Sequence, residues 1–194
     1  MTDTGAMQRI PLALDLFGEK VHAVDPSAWT NPTPCSEWDV RDVVNHMTSE
    51  HLWAAELLGG GTVAEVGDRY DGDVLGDDPV AAWDRAGSGS REAWQAARPG
   101  DLVNLSRGDT PVEHYATEML VDLAVHGWDL ARGAALDESQ QRMDPDTVDY
   151  LLPFIRKHHR AYSGTAFFAA PVSTDSEDPQ VELLGLLGRR ADWA

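Results

Sequence analysis

An all-α fold, arranged as a bundle of four main helices, is what this sequence predicts. Apolar residues recur at three- and four-residue spacing over long stretches, which is the period of an amphipathic helix. Two of the intervening segments are long and irregular, so successive helices need not be antiparallel neighbours. A chain of 194 residues is long enough to bury one substantial core. A single domain over 1–194 is therefore expected, with about 1–135 as the core bundle and 136–194 as an additional helix and C-terminal extension.

The first helix is expected over Met7 to Ala23, with apolar residues at Ile10, Leu12, Leu14, Leu16, Phe17 and Val21 and Pro11 near its start. It should end before Asp25-Pro26. The segment DPSAWTNPTPC holds three prolines and should run extended, with Trp29 packing on the bundle. Ser36 to Asp39 has the S-x-x-D form of a capping box, so a second helix is expected to start there. Cys35 and Val40 are spaced as a weak hydrophobic staple. The core stripe of this helix is expected to run through Val40, Val43, Val44, Met47, Ala54 and Leu58, and Gly59-Gly60-Gly61 to stop it. His46 lies beside the stripe, on the row through Val43, Glu50, Trp53 and Leu57.

From Gly59 to Asp77 the chain is rich in Gly and Asp and has no period, as expected of a long connection. A third helix is expected from about Asp78 to Ala97, with a kink or break at Gly87-Ser88-Gly89-Ser90, because each Gly disfavours helix by roughly 1 kcal/mol. Arg98 to Thr110 reads as a second irregular connection with a short extended piece at Leu102 to Leu105. The fourth helix begins near Pro111 and runs to Gly133. A fifth is expected from about Asp144 to Ala161, kinked at Pro153 and ending in a solvated basic patch, RKHHR. After the apolar GTAFFAAPV, one short helix is expected around Pro179 to Leu187.

Composition narrows the function. Only 15 Lys and Arg face 33 Asp and Glu, for a formal charge of −18, and no basic run would support phosphate contacts. Nucleic acid and an anionic membrane surface are excluded as expected partners. Cys35 is the only cysteine, so no internal disulfide is possible. The N-terminal MTDTGAMQRI has no apolar run of signal-peptide type, and a soluble cytoplasmic protein is expected.

The chemistry concentrates in Glu118 to Ala131, EMLVDLAVHGWDLA. Asp122 and His126 stand four residues apart, about one helical turn, so both can reach one metal ion. His46 on the second helix could supply a third ligand. Two imidazoles and one carboxylate would leave positions open on zinc or iron, the condition for catalysis. Spacing alone is weak support, since Asp-x-x-x-His pairs occur on many helices as ordinary hydrogen bonds. His51 and His114 are rival ligands, both read as surface residues. Asp129 is either an outer acceptor for a ligating histidine or, as the favoured reading, a hydrogen bonder on the helix surface. Trp38, Trp53 and Trp128 are read as core, and Cys35 as packing.

Two stretches, PTPCSEWDVRDVVNHM and EMLVDLAVHGWDLARG, together with the terminal LLGRRADW, resemble the metal-binding domain of the mycothiol-dependent maleylpyruvate isomerases, among the DinB-like helical bundles. The likeness extends over most of the chain. It implies a four-helix bundle holding a divalent metal, commonly zinc, with nickel or iron as alternatives, at the residues matching His46, Asp122 and His126. The family's isomerases carry Glu where this chain has Asp122, one methylene shorter, and their separate C-terminal domain looks absent or much reduced.

The resemblance implies a metal-dependent S-transferase or isomerase using a small thiol such as mycothiol as cosubstrate, with an electrophile as acceptor. The alternative is a non-catalytic metal- or small-ligand-binding accessory or sensor protein. A plain helical homodimer with structural histidines is the third expectation.

Overall fold

The first helix, α1 (Gly5–Ala23), begins two residues earlier than its apolar period suggests and carries Pro11 inside it. The computed structural model describes residues 5–162 and 168–193; the first residues of MTDTGAMQRI and positions 164–167 of GTAFFAAPV lie outside them. By its internal packing the chain divides into two compact units. One comprises the chain up to Ala23 together with Val44–Leu123, and the other Val24–Val43 with Ala124 onward.

The first unit is a four-helix bundle built from α1, most of α2 (Val40–Leu58), α4 (Pro79–Ala96) and the first half of α5 (Val112–Gly133). Aromatic residues knit it. Phe17 of α1 meets Trp83 of α4 at 4.5 Å between ring centroids, and Trp94 of α4 lies 5.4 Å from Tyr115 of α5. α2 joins α4 through His51, whose Nδ1 is 2.8 Å from Ser90 Oγ and whose ring meets Trp83 edge-on. His51 is therefore a core residue and not the surface residue its polarity suggests. It is fully buried, and desolvation pushes its pKa down to about 3.

α4 is continuous through Gly87-Ser88-Gly89-Ser90, where a break was expected. Close packing outweighs the cost of glycine in the helix. A Cβ on Gly18 of α1 would lie 3.0 Å from Trp83 Nε1, and one on Gly87 would lie 3.7 Å from the same ring. Small residues let the two helices clasp the indole.

The first long connection is tied down by α2. Asn45 donates to Gly72 O and accepts from Val74 N, and Ser49 donates to Tyr70 O. It also contains a single helical turn, α3 (Val63–Val66), capped by Thr62 and Glu65. The second connection is a hairpin, β1 (Leu102–Leu105) paired antiparallel with β2 (Gly108–Pro111). Pro111 thus ends a strand and α5 starts after it.

In the second unit, α2 starts at Val40 and not at Ser36. Asp39 and Asp42 form the reciprocal cap, each accepting from the other's backbone N–H at 2.9 and 3.1 Å. Residues 36–39 cannot be helical there. Glu37 sits at φ 73°, Thr33 N donates to Trp38 O, and Pro32 bridges Asp39. The expected capping box at Ser36 therefore gives way to a folded loop. Beyond α5 come α6 (Glu138–Gln141), α7 (Pro145–Tyr162), which runs on through Pro153, and α8 (Pro179–Leu186). The expected solvated patch at the end of α7 is only partly so: the Arg156 fork grips Glu182 of α8 at 2.6 and 2.7 Å.

Gly133 closes α5 against the loop. A Cβ there would meet Thr33 Cγ2 at 2.7 Å, Pro32 O at 3.0 Å and Val40 Cγ2 at 3.0 Å, while Asn31 donates to its carbonyl. Gly133→Ala is expected to destabilise the protein by about 1–3 kcal/mol in denaturant titration, despite the higher helix propensity of alanine.

Candidate metal centre

α5 carries the chemistry because its polar residues recur at helical spacing on faces that the fold buries. His126 and Asp129, one turn apart, are both wholly buried in the second unit. His126 Nδ1 lies 3.1 Å from Asp129 Oδ2. Asp129 also receives Arg189 from the segment after α8, with Nη2 at 2.8 Å and Nε at 3.3 Å from its oxygens. Burial alone would raise the carboxyl pKa of Asp129; the Arg189 guanidinium and the His126 hydrogen bond together outweigh it and hold the group below its ordinary value. For His126, burial lowers the pKa more than Asp129 raises it, and the imidazole is neutral.

A neutral imidazole facing an ionised carboxylate donates through Nδ1–H. Its Nε2 then carries the lone pair, as metal-bound histidines require. The donor set fits a metal on that observation. The ring packs against Trp38, at 5.6 Å, and Phe168, at 5.9 Å and nearly parallel, and the Arg189 guanidinium lies over the Phe168 ring at 5.1 Å. Trp38 therefore packs on the candidate ligand, whereas Trp53 packs against Tyr70 and Trp128 is buried beneath Arg132.

Asp129 is not on the helix surface, contrary to the favoured expectation; it lies at the centre of this buried chain of charges. Cys35 is not a mere staple residue either. Its sulfur and one ligand atom each of His126 and Asp129 all lie within 4.8 Å of one another.

In the first unit, His46 Nε2 of α2 is 3.9 Å from Asp122 Oδ2 of α5. Two of the three expected ligands therefore meet across two helices. The third, His126, follows Asp122 by one turn along α5. His114 is exposed, as expected. One turn after His46 on α2 is Glu50, and one turn before Asp122 on α5 is Glu118, whose charge acts on Glu50. The position of Glu50 on the same row as His46 was the signal available in the sequence.

Residues 11–131 match the family described as the mycothiol maleylpyruvate isomerase N-terminal domain. The chain belongs to that family. Among curated proteins, an uncharacterized protein of Mycobacterium tuberculosis strain CDC 1551 / Oshkosh is 30% identical over 141 residues, covering 69% of this chain and 68% of the relative. An uncharacterized protein of strain ATCC 25618 / H37Rv matches with the same figures. No solved structure matches. This member of the mycothiol maleylpyruvate isomerase N-terminal domain family is an all-α bundle, and no helix among its described residues is long and apolar enough to cross a membrane.

Arg189 is 60 residues from Asp129 in sequence and nearly inaccessible, at 3% exposure. Removing one partner of a buried pair strands the other charge. Arg189→Met is expected to destabilise the protein by about 3–5 kcal/mol, and adding Asp129→Asn should recover a large part of that loss in the same denaturation assay.

Proposed function

We propose that this protein is a metal-dependent S-transferase or isomerase acting with a low-molecular-weight thiol of the mycothiol type, and that His46, Asp122 and His126 hold a divalent metal, zinc in the first place. The observation that carries the proposal is the orientation of His126: a buried carboxylate, itself clamped by Arg189, accepts from Nδ1–H and so puts the ring's lone pair on Nε2. The approach of His46 to Asp122 and the family membership support it further.

A divalent metal held there lowers the pKa of a bound thiol, so that the sulfur is a thiolate at neutral pH. The chain's own residues do the rest. Asp129 keeps the Nδ1 proton of His126 in place, and Arg189 keeps Asp129 ionised. Trp38 and Phe168 cover the imidazole faces and exclude water from them. The expected thiol and electrophile are the partners of the reaction.

Cys35 favours a second reading. A thiolate ligand beside His126 would close the coordination shell and give the non-catalytic metal-binding accessory or sensor protein. The Arg189 pair already occupies the Asp129 carboxylate, which leaves Cys35 as the residue in question. Cobalt substitution separates the two: a sulfur-to-metal charge-transfer band in thiol-free protein that disappears in Cys35→Ser supports the closed site.

The test of the enzyme reading is turnover. Zinc-loaded protein incubated with mycothiol and a panel of electrophiles should form thioether or isomerised product, and the rate should vanish on chelation. Asp129→Asn should weaken zinc affinity about 10–100-fold. No metal-dependent turnover with any acceptor would contradict it.

A further inference from the structure

Trp83 of α4 is only 2% exposed, yet its indole N–H has no hydrogen-bond partner among the described residues. The ring is fixed in place: Phe17 of α1 packs on it at 4.5 Å, and His51 of α2 meets it edge-on at 5.5 Å. Its N–H edge is turned to α1, where Gly18 lies opposite. A Cβ on Gly18 would stand 3.0 Å from Nε1 and cover that edge, whereas glycine leaves it open. A buried donor left unmet costs stability, and phenylalanine in this position would pack without that cost. The N–H is therefore better explained by an acceptor that arrives from outside the chain.

The place for it is a groove of about 310 Å³ between α1 and α4, lined by Trp83, Gly18 and Gly87. Both helices belong to the first unit. At one end of the groove Arg91 Nη2 donates to Asp15 Oδ1; at the other, His22 Nε2 lies 2.9 Å from Asp84 Oδ1. Asp15 and His22 stand two turns apart on α1, about 10 Å. The unmet N–H lies between these two pairs, level with Gly18.

The lining sets the chemistry of the ligand. A hydrogen-bond acceptor is required in the middle. At each end stands a carboxylate already facing a basic side chain, so a free anion would meet Asp15 and Asp84, and a free cation would meet Arg91. A hydroxyl both donates and accepts, and it suits either end without breaking a pair. Ligand pockets run from roughly 300 to 1,000 Å³, so this one has room for a single ring.

We propose that the α1–α4 groove binds a neutral monosaccharide, with one ring hydroxyl accepting from Trp83 Nε1–H and others bonded to the Asp15–Arg91 and His22–Asp84 pairs. The site is independent of the metal and thiol reading above.

The test is nuclear magnetic resonance of the full-length protein labelled with nitrogen-15, which reports the indole N–H signals of its seven tryptophans. The Trp83 signal is assigned by its contacts to Phe17 and His51 and by its loss in Trp83→Phe. The probes are glucose, galactose and N-acetylglucosamine, with acetate and ethanolamine as charged counterparts. At least one sugar should move the Trp83 signal saturably and leave the other tryptophans in place, while the charged probes leave it unmoved. Gly18→Ala should abolish the shift. Asp84→Ala, on the exposed rim and away from the core, should weaken the same sugar about tenfold with a denaturation midpoint close to the parent's. A Trp83 signal that moves with no sugar, its N–H met by water alone, overturns the proposal. So does a signal that answers to acetate or ethanolamine and not to sugars, or a sugar affinity unchanged in Asp84→Ala.

Discussion

One buried charge constrains the second unit of this protein: the carboxylate of Asp129, with no access to water. An uncompensated carboxylate in that position would be protonated or would unfold its surroundings. Arg189 prevents both by bringing a guanidinium from the segment after α8 to the C-terminal part of α5. The same pair determines which nitrogen of His126 holds the proton. A long-range ion pair that would otherwise be a modest contribution to folding thus presets the chemistry of an imidazole.

The first unit solves a different problem. Its core is aromatic and well matched around Trp83, with glycines placed where the helices need to approach. Beside that core, the imidazole of His46 on α2 approaches the carboxylate of Asp122 on α5 at 3.9 Å.

The bundle was legible because helix periodicity is a local signal: α1, α5 and α8 fall close to where apolar spacing puts them. Starts and breaks were less legible. Ser36 has the right spacing for a cap, but backbone pairing of Thr33 with Trp38 holds that loop out of the helix. Gly87 and Gly89 look like breakers until the indole packed on α4 is known. His51 reads as a surface residue because one polar residue on a helix says nothing about Ser90, which receives it 39 positions later.

The candidate site divides in the same way. The Asp122 and His126 pair is visible as i,i+4 spacing, and His46 as a histidine beside the core stripe of another helix, which the resemblance then supported. Asp129 was legible as one of two alternatives, an acceptor for a histidine or a surface hydrogen bonder, and what decides between them is a partner 60 residues away. Arg189 lies in a terminal stretch that carried family likeness but no chemical clue. The proximity of Cys35 to His126 likewise arises from the loop before α2 and has no periodic signature.

The most direct measurement of the central claim is the metal content of untagged protein by mass spectrometry after dialysis without chelator, alongside Asp122→Ala and His126→Ala. Near-stoichiometric divalent metal in the parent, lost in both variants, is the predicted result. A parent that takes up no metal even when reloaded with zinc, or variants that retain it in full, would contradict the account.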